Sequence, residues 1–306
     1  MIEITKIPNP LLLDGGLATE LEAQGYDLKH SLWSARLLLE SPQAIVDAHL
    51  AYLRAGAGCI ITASYQASVP GFMSLGMSHD EAQNLIALSV QLARKAVDQF
   101  CQESSPQERP LIAASVGPYG AYLADGSEYR GDYRVDANTL RDFHQPRMKH
   151  LIEANPDLLV CETVPCLTEA QVLSDLILEF AAPAWISFSC RDGQHLSSGE
   201  EISEAASVLE GNPYLFALGV NCTSPAHINP LIVALQKHWP KRIVVYPNSG
   251  EHYDVSSGNW HGTADPGSCA TAATTWQHTG ADIIGGCCRM GPSHIKAMGN
   301  ALQTSI

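Results

Sequence analysis

Thr279-Gly280-Ala281-Asp282-Ile283-Ile284-Gly285-Gly286-Cys287-Cys288-Arg289 is the stretch that decides the fold. Its glycine follows a helix-compatible segment, where a left-handed C-cap would sit. The short apolar run after it is too brief for a helix and reads as a buried strand. Two glycines then let the backbone pass a bulky centre before two adjacent cysteines arrive. The same helix-to-strand phrase recurs as Ala55-Gly56-Ala57 before the run at 59–64.

Working outward, short apolar runs recur at 11–16, 59–64, 111–117, 157–163, 184–190, 216–222, 242–250 and 282–288. Most are continuous rather than alternating, as parallel strands buried on both faces require. Helix-compatible segments lie between them at 42–55, 79–100, 140–154, 167–180, 203–209, 225–238, 268–279 and 292–302. This order predicts an α/β fold, a (β/α)₈ barrel, as a single domain over residues 1–306. An open doubly wound sheet is the alternative, but no glycine-rich fingerprint follows the first strand. In a barrel, chemistry gathers where strands end. Asp14, Ser64, Gly117, Glu162, Cys222, Asn248 and Cys287 fall at or near those ends.

Lys and Arg number 18 against 32 Asp and Glu, a formal charge of −14. Such acidity argues against nucleic acid or an anionic membrane as partner and tolerates a cationic small molecule. No secretion signal is visible and no apolar run is long enough to span a bilayer, so a cytoplasmic protein is expected. Oligomeric state is not legible. Nine cysteines in such a chain read as reduced thiols or metal ligands rather than as a disulfide framework.

Cys59, Cys101, Cys161, Cys166, Cys190 and Cys269 read as small buried hydrophobes. The adjacent pair differs. Neighbours on a strand point to opposite faces, so a shared ligand needs a break, which Gly285-Gly286 would supply. Cys222 ends the run Phe216-Ala217-Leu218-Gly219-Val220-Asn221-Cys222. Three thiolates from two strand ends would fill three corners of a tetrahedral zinc site and leave the fourth open, as in catalytic zinc. A redox pair is the other option, although no Cys-x-x-Cys spacing is present. A phosphate-cradling turn is a third, kept open by Arg289. The twelve histidines are dispersed and offer no rival site.

Leu13-Asp14-Gly15-Gly16-Leu17-Ala18-Thr19-Glu20-Leu21, Gly219-Val220-Asn221-Cys222 and Gly285-Gly286-Cys287-Cys288-Arg289 together resemble the homocysteine S-methyltransferase family. The resemblance runs from the first strand to the last. Within the family, the stretches at 62–68, 115–131 and 246–251 resemble the branch that takes methyl from S-methylmethionine. The resemblance implies a zinc-binding barrel, with Cys222, Cys287 and Cys288 holding one Zn²⁺ per chain. It implies that Asp14 and Glu162 bind the amino-acid end of homocysteine, with Gly15 and Gly16 admitting substrate to the backbone. Tyr65, Gln66 and Asn221 would belong to the same pocket.

The chemistry expected is in-line displacement, from the sulfonium sulfur to the homocysteine sulfur, with a neutral thioether leaving. Aromatic faces and carboxylates would hold the cation; Trp33, Tyr119, Tyr122, Glu128 and Tyr129 are the candidates. S-Adenosylmethionine or betaine as donor, and selenocysteine or another thiol as acceptor, remain alternatives, as does a non-catalytic zinc- or thiol-binding barrel. For Asp14 the local sequence also allows an ordinary Asp-Gly-Gly turn. For Glu162 a structural Arg or Lys partner is the rival.

Overall fold

The computed structural model describes residues 1–28, 33–250, 252–254, 259–261 and 265–303. Its strands are β1 (Leu11–Leu12), β2 (Cys59–Ile61), β3 (Leu111–Val116), β4 (Leu158–Val164), β5 (Ala184–Phe188), β6 (Leu215–Asn221), β7 (Arg242–Tyr246), the hairpin β8 (His252–Asp254) and β9 (Asn259–His261), and β10 (Ile283–Ile284). Among the described residues, eight of these form one parallel sheet in the order β1-β10-β7-β6-β5-β4-β3-β2. A parallel bridge from Leu13 to Cys59 joins the two ends. Gly58 N–H donates to Leu12 O at 2.8 Å and Asp14 N–H to Cys59 O at 3.0 Å. The sheet is therefore a (β/α)₈ barrel, as the strand–helix alternation predicts.

Every residue of β3, β4, β5 and β6 is buried, because one face meets helices and the other fills the barrel. The interior is packed by Leu11, Leu13, Cys59, Leu111, Ala113, Leu158, Val160, Trp185, Phe216, Val244 and Ile283. Ile2 and Ile4 pack against this cluster from the N-terminal segment. The outer layer joins the strands to the helices α3 (Pro42–Arg54), α5 (His79–Ser104), α7 (Ala137–Glu153), α8 (Leu167–Phe180), α9 (Ile202–Leu209), α10 (Ile228–Gln236), α11 (Pro266–Thr279) and α12 (Pro292–Gln303).

Local chemistry sets the helix ends. Ser78 and Glu81 form a reciprocal capping box on α5. Asp136 caps α7, which starts three residues before the apolar periodicity does. The segment expected as one helix at 225–238 opens instead with a 3₁₀ turn, Pro225–His227. Short helices in the long loops carried no periodic stripe and escaped the sequence reading: α1 (Leu17–Ala23), α2 (Leu37–Glu40), α4 (Val69–Met73) and α6 (Tyr119–Leu123). Strands β1 and β10 are also shorter than the apolar runs that announce them, since the backbone leaves the ladder at Asp14 and at Gly285.

Candidate active site

A cavity of about 380 Å³ opens at the ends of the strands. Asp14, Gly15 and Gly16 reach it from the end of β1, Tyr65 and Gln66 from the loop after β2, and Glu128 and Tyr129 from the loop after β3. Glu162 enters from β4, Cys222 from the end of β6, and Cys287 and Cys288 from beyond β10. No Lys, Arg or His lines the cavity among the described residues.

The three sulfurs lie within 4.8 Å of one another. Cys222 Sγ is 2.6 Å from Cys287 Sγ and 3.7 Å from Cys288 Sγ. A tetrahedral zinc with Zn–S bonds of about 2.3 Å sets sulfurs about 3.8 Å apart. The Cys222–Cys288 edge already matches, and the Cys222–Cys287 edge would have to open by about 1 Å. The break expected at Gly285-Gly286 is present. Strand β10 ends at Ile284, and Cys287 and Cys288 lie in an irregular segment that returns to Pro247 O through Cys287 N–H at 2.8 Å. Cys222 itself has φ of 48°, which turns it out of the strand. The Tyr129 side chain hydrogen-bonds the Cys222 sulfur.

Asp14 is held by a distant backbone group rather than by its own Asp-Gly-Gly turn. Its Oδ2 accepts Ile61 N–H at 2.8 Å, a structural bond across the barrel seam. Its Oδ1 is buried without a partner. Burial pushes its carboxyl well above the usual carboxylate range, against the pull of the Ile61 bond, and the nearby Glu162 charge adds to the rise. Burial likewise pushes Glu162 up to about 7, with the Ser115 hydrogen bond pulling the other way. Ser115 Oγ donates to Glu162 Oε1, and Tyr246 also hydrogen-bonds this carboxylate. No Lys or Arg pairs with Glu162 among the described residues. Gln66 Oε1 and Glu128 Oε2 are further buried acceptors without partners. Burial also raises the Glu128 carboxyl.

Several expected residues do other work. Asn221 does not line the cavity and is fully buried. Its Oδ1 accepts Thr163 N–H at 2.7 Å and its Nδ2 donates to Thr163 Oγ1 at 2.8 Å. It thereby holds Thr163 at φ 59°, a costly conformation for a β-branched residue. Tyr119 and Tyr122 are not among the cavity-lining residues and pack around Phe143, at 5.1 and 5.3 Å between ring centroids. The Trp33 side chain lies outside the described residues. At Gly15 an added Cβ would meet Met290 O at 2.1 Å, and at Gly16 it would meet Cys287 O at 2.6 Å. These glycines let the first loop pack onto the thiol-bearing one. Sequence reasoning missed Tyr246, which lines the cavity and bonds Ser187 Oγ at 2.6 Å. Its signal was a lone hydroxylated aromatic ending an aliphatic strand.

Comparison with known proteins agrees with this geometry. The model of the homocysteine S-methyltransferase family matches residues 11–302. The chain belongs to the homocysteine S-methyltransferase family. It is 49% identical over 302 residues to Homocysteine S-methyltransferase YbgG of Bacillus subtilis, covering 96% of each chain. It is 47% identical to Homocysteine S-methyltransferase of Escherichia coli, covering 94% of each. The crystal structure of the metallated form of the E. coli homocysteine methyltransferase MmuM superposes with a TM-score of 0.88 at 43% identity, covering 97% of this chain and 98% of that one. Methyl transfer to homocysteine is the family's reaction. Among the described residues no helix is long and apolar enough to cross a membrane.

Proposed function

We propose that this chain transfers the methyl group of S-methylmethionine to the thiol of homocysteine, with one zinc ion per chain held by Cys222, Cys287 and Cys288. The observation that carries this reading is the make-up of one cavity wall against the others. Three thiols share one side, while the unpaired polar atoms of Asp14, Gln66 and Glu128 are all acceptors. Such a cavity suits a ligand that is cationic and binds through sulfur.

The donor set is all sulfur, which selects a soft or borderline ion such as zinc. Zinc, when bound, supplies the Lewis acidity that keeps an acceptor thiol deprotonated near neutral pH. Asp14 Oδ1 and Glu162 receive the homocysteine ammonium, and ion pairing favours their charged forms. Glu128, with the Tyr129 ring beside it, faces the sulfonium and draws the donor by charge and by the ring face. Held between these groups, the acceptor sulfur attacks the methyl carbon in line and the neutral thioether leaves. No base is needed at carbon. The residues contribute orientation and exclusion of water. The free thiols support a reducing compartment such as the cytoplasm.

The test is a methyl-transfer assay on zinc-loaded protein given homocysteine with S-methylmethionine, S-adenosylmethionine or betaine in turn. Methionine is expected from S-methylmethionine, lost on chelation and restored by zinc. Undiminished turnover after chelation would overturn the metal assignment. Turnover with betaine alone would overturn the donor.

A further inference from the structure

Behind the cavity wall built by the loops after β2 and β3 lies a buried cation that the reaction above does not use. Arg147, on α7, is 2% exposed. Its guanidinium lies 5.3 Å from the centre of the Phe143 ring. It donates to three main-chain carbonyls: Gly117 O at 3.2 Å, Tyr65 O at 3.1 Å and Ser64 O at 3.5 Å. Burying a guanidinium is expensive, and here its hydrogen bonds go to the backbone of two cavity loops.

Tyr65 is held from three sides as a result. Arg147 binds its carbonyl. Its ring lies so close to Gly117 that a Cβ there would come within 2.8 Å of Tyr65 Cδ2 and 2.4 Å of Tyr65 O. Its hydroxyl hydrogen-bonds the Thr163 side chain. Gln66 Nε2 donates to Ala121 O at 3.0 Å, tying the β2 loop to α6. From α8, Glu169 Oε1 accepts Tyr119 N–H at 2.6 Å, anchoring the loop that leads to Glu128. Asp14 stands outside this assembly at the end of β1, and Glu162, within β4, meets it indirectly, through Ser115, whose main-chain O accepts from Ser64 Oγ at 2.7 Å.

We propose that Arg147 is a positioning residue that locks the β2 and β3 loops into one rigid plate, so that Tyr65 and Glu128 meet the methyl donor in fixed register. The proposal rests on the placement of the donor beside Glu128 given above. It predicts a split between the substrates: the donor feels the clamp, and homocysteine, held by Asp14, Glu162 and the thiols, does not.

The experiment compares Arg147→Met, Arg147→Lys and Gly117→Ala with wild type, using whichever donor the wild type accepts. A wrong donor assignment therefore shows in the wild type and leaves the comparison intact. Metal content, melting temperature, kcat and each substrate's KM are measured below the melting transition. In Arg147→Met the metal and the homocysteine KM stay at wild-type values, while kcat/KM for the donor falls about tenfold to a hundredfold. Arg147→Lys recovers part of the loss. Gly117→Ala keeps the guanidinium but drives a Cβ against Tyr65 O, one of its acceptors, and shows the same signature, so the test survives if Arg147→Met does not fold. Combined with Tyr65→Ala, Arg147→Met adds nothing beyond Tyr65→Ala alone. Wild-type donor kinetics in folded Arg147 and Gly117 variants overturn the proposal, as does a loss that falls on homocysteine or that adds to Tyr65→Ala.

Discussion

Glu162 joins the substrate role proposed for it to a pH response. Its carboxyl rises to about 7 chiefly through burial, so the folded protein holds a proton that the unfolded chain releases near 4.5. Between those values the native state binds more protons, and stability falls as pH rises through the window. The change is on the order of 3 kcal/mol for the unliganded protein. Glu162→Gln is expected to flatten this dependence in urea titrations taken from pH 5 to 8; an unchanged slope would sink the assignment. Homocysteine binding has the opposite sense. An ammonium pairs with the ionised form, so affinity grows as pH rises toward 7, and calorimetry in buffers of different ionisation enthalpy should detect proton release. In Glu162→Gln that release should shrink by the share of Glu162, leaving the protons of Asp14 and the thiol, and affinity should weaken about tenfold to a hundredfold, the loss of one charged hydrogen bond. Asp14 carries a local ambiguity of the kind sequence cannot resolve, because one carboxylate oxygen is bonded to the fold and the other is buried without a partner.

Among the elements, β6 carries the tightest constraint. A Cβ on Gly219 would sit 1.6 Å from Val244 O, so Gly219→Ala must push β6 from β7. We expect a loss of about 3 kcal/mol, read as a lower urea midpoint, with weakened metal retention because Cys222 follows directly on this strand. A midpoint equal to wild type would show that the strands part freely. The elements were also where the sequence was most readable. Continuous apolar runs such as 111–117 and 157–163 read as strands buried on both faces and fold as β3 and β4, and α5 announces itself by its period. The rim was less legible. An aromatic residue in a loop can face a ligand or a neighbouring helix with equal local logic. Tyr119 and Tyr122 chose Phe143, a partner from α7 that no spacing rule points to. Asn221 was expected in the pocket from the family resemblance, but its hydrogen bonds reach across β5 to Thr163, a contact only the closed barrel creates.

At the scale of the molecule, the barrel is unevenly hooped. Its staves β3 to β6 run five to seven residues, whereas β1 and β10 have two each. Beyond β1, one bridge joins Leu13 to Cys59. The thiols stand beside this weak quarter: Cys287 and Cys288 follow β10, and Cys222 follows β6 on the far side of β7. An ion gripping all three would act as a rivet fastening the short stave β10 to the long stave β6. Metal loading would then be a mechanical event as well as a chemical one, stiffening the wall on which the acceptor is seated before any substrate arrives. Amide hydrogen exchange should register it as slower exchange at 11–14 and 283–290 on adding zinc, with β3 to β5 unmoved. Equal protection with and without the ion would mean that the barrel holds its own shape and the thiols serve chemistry alone.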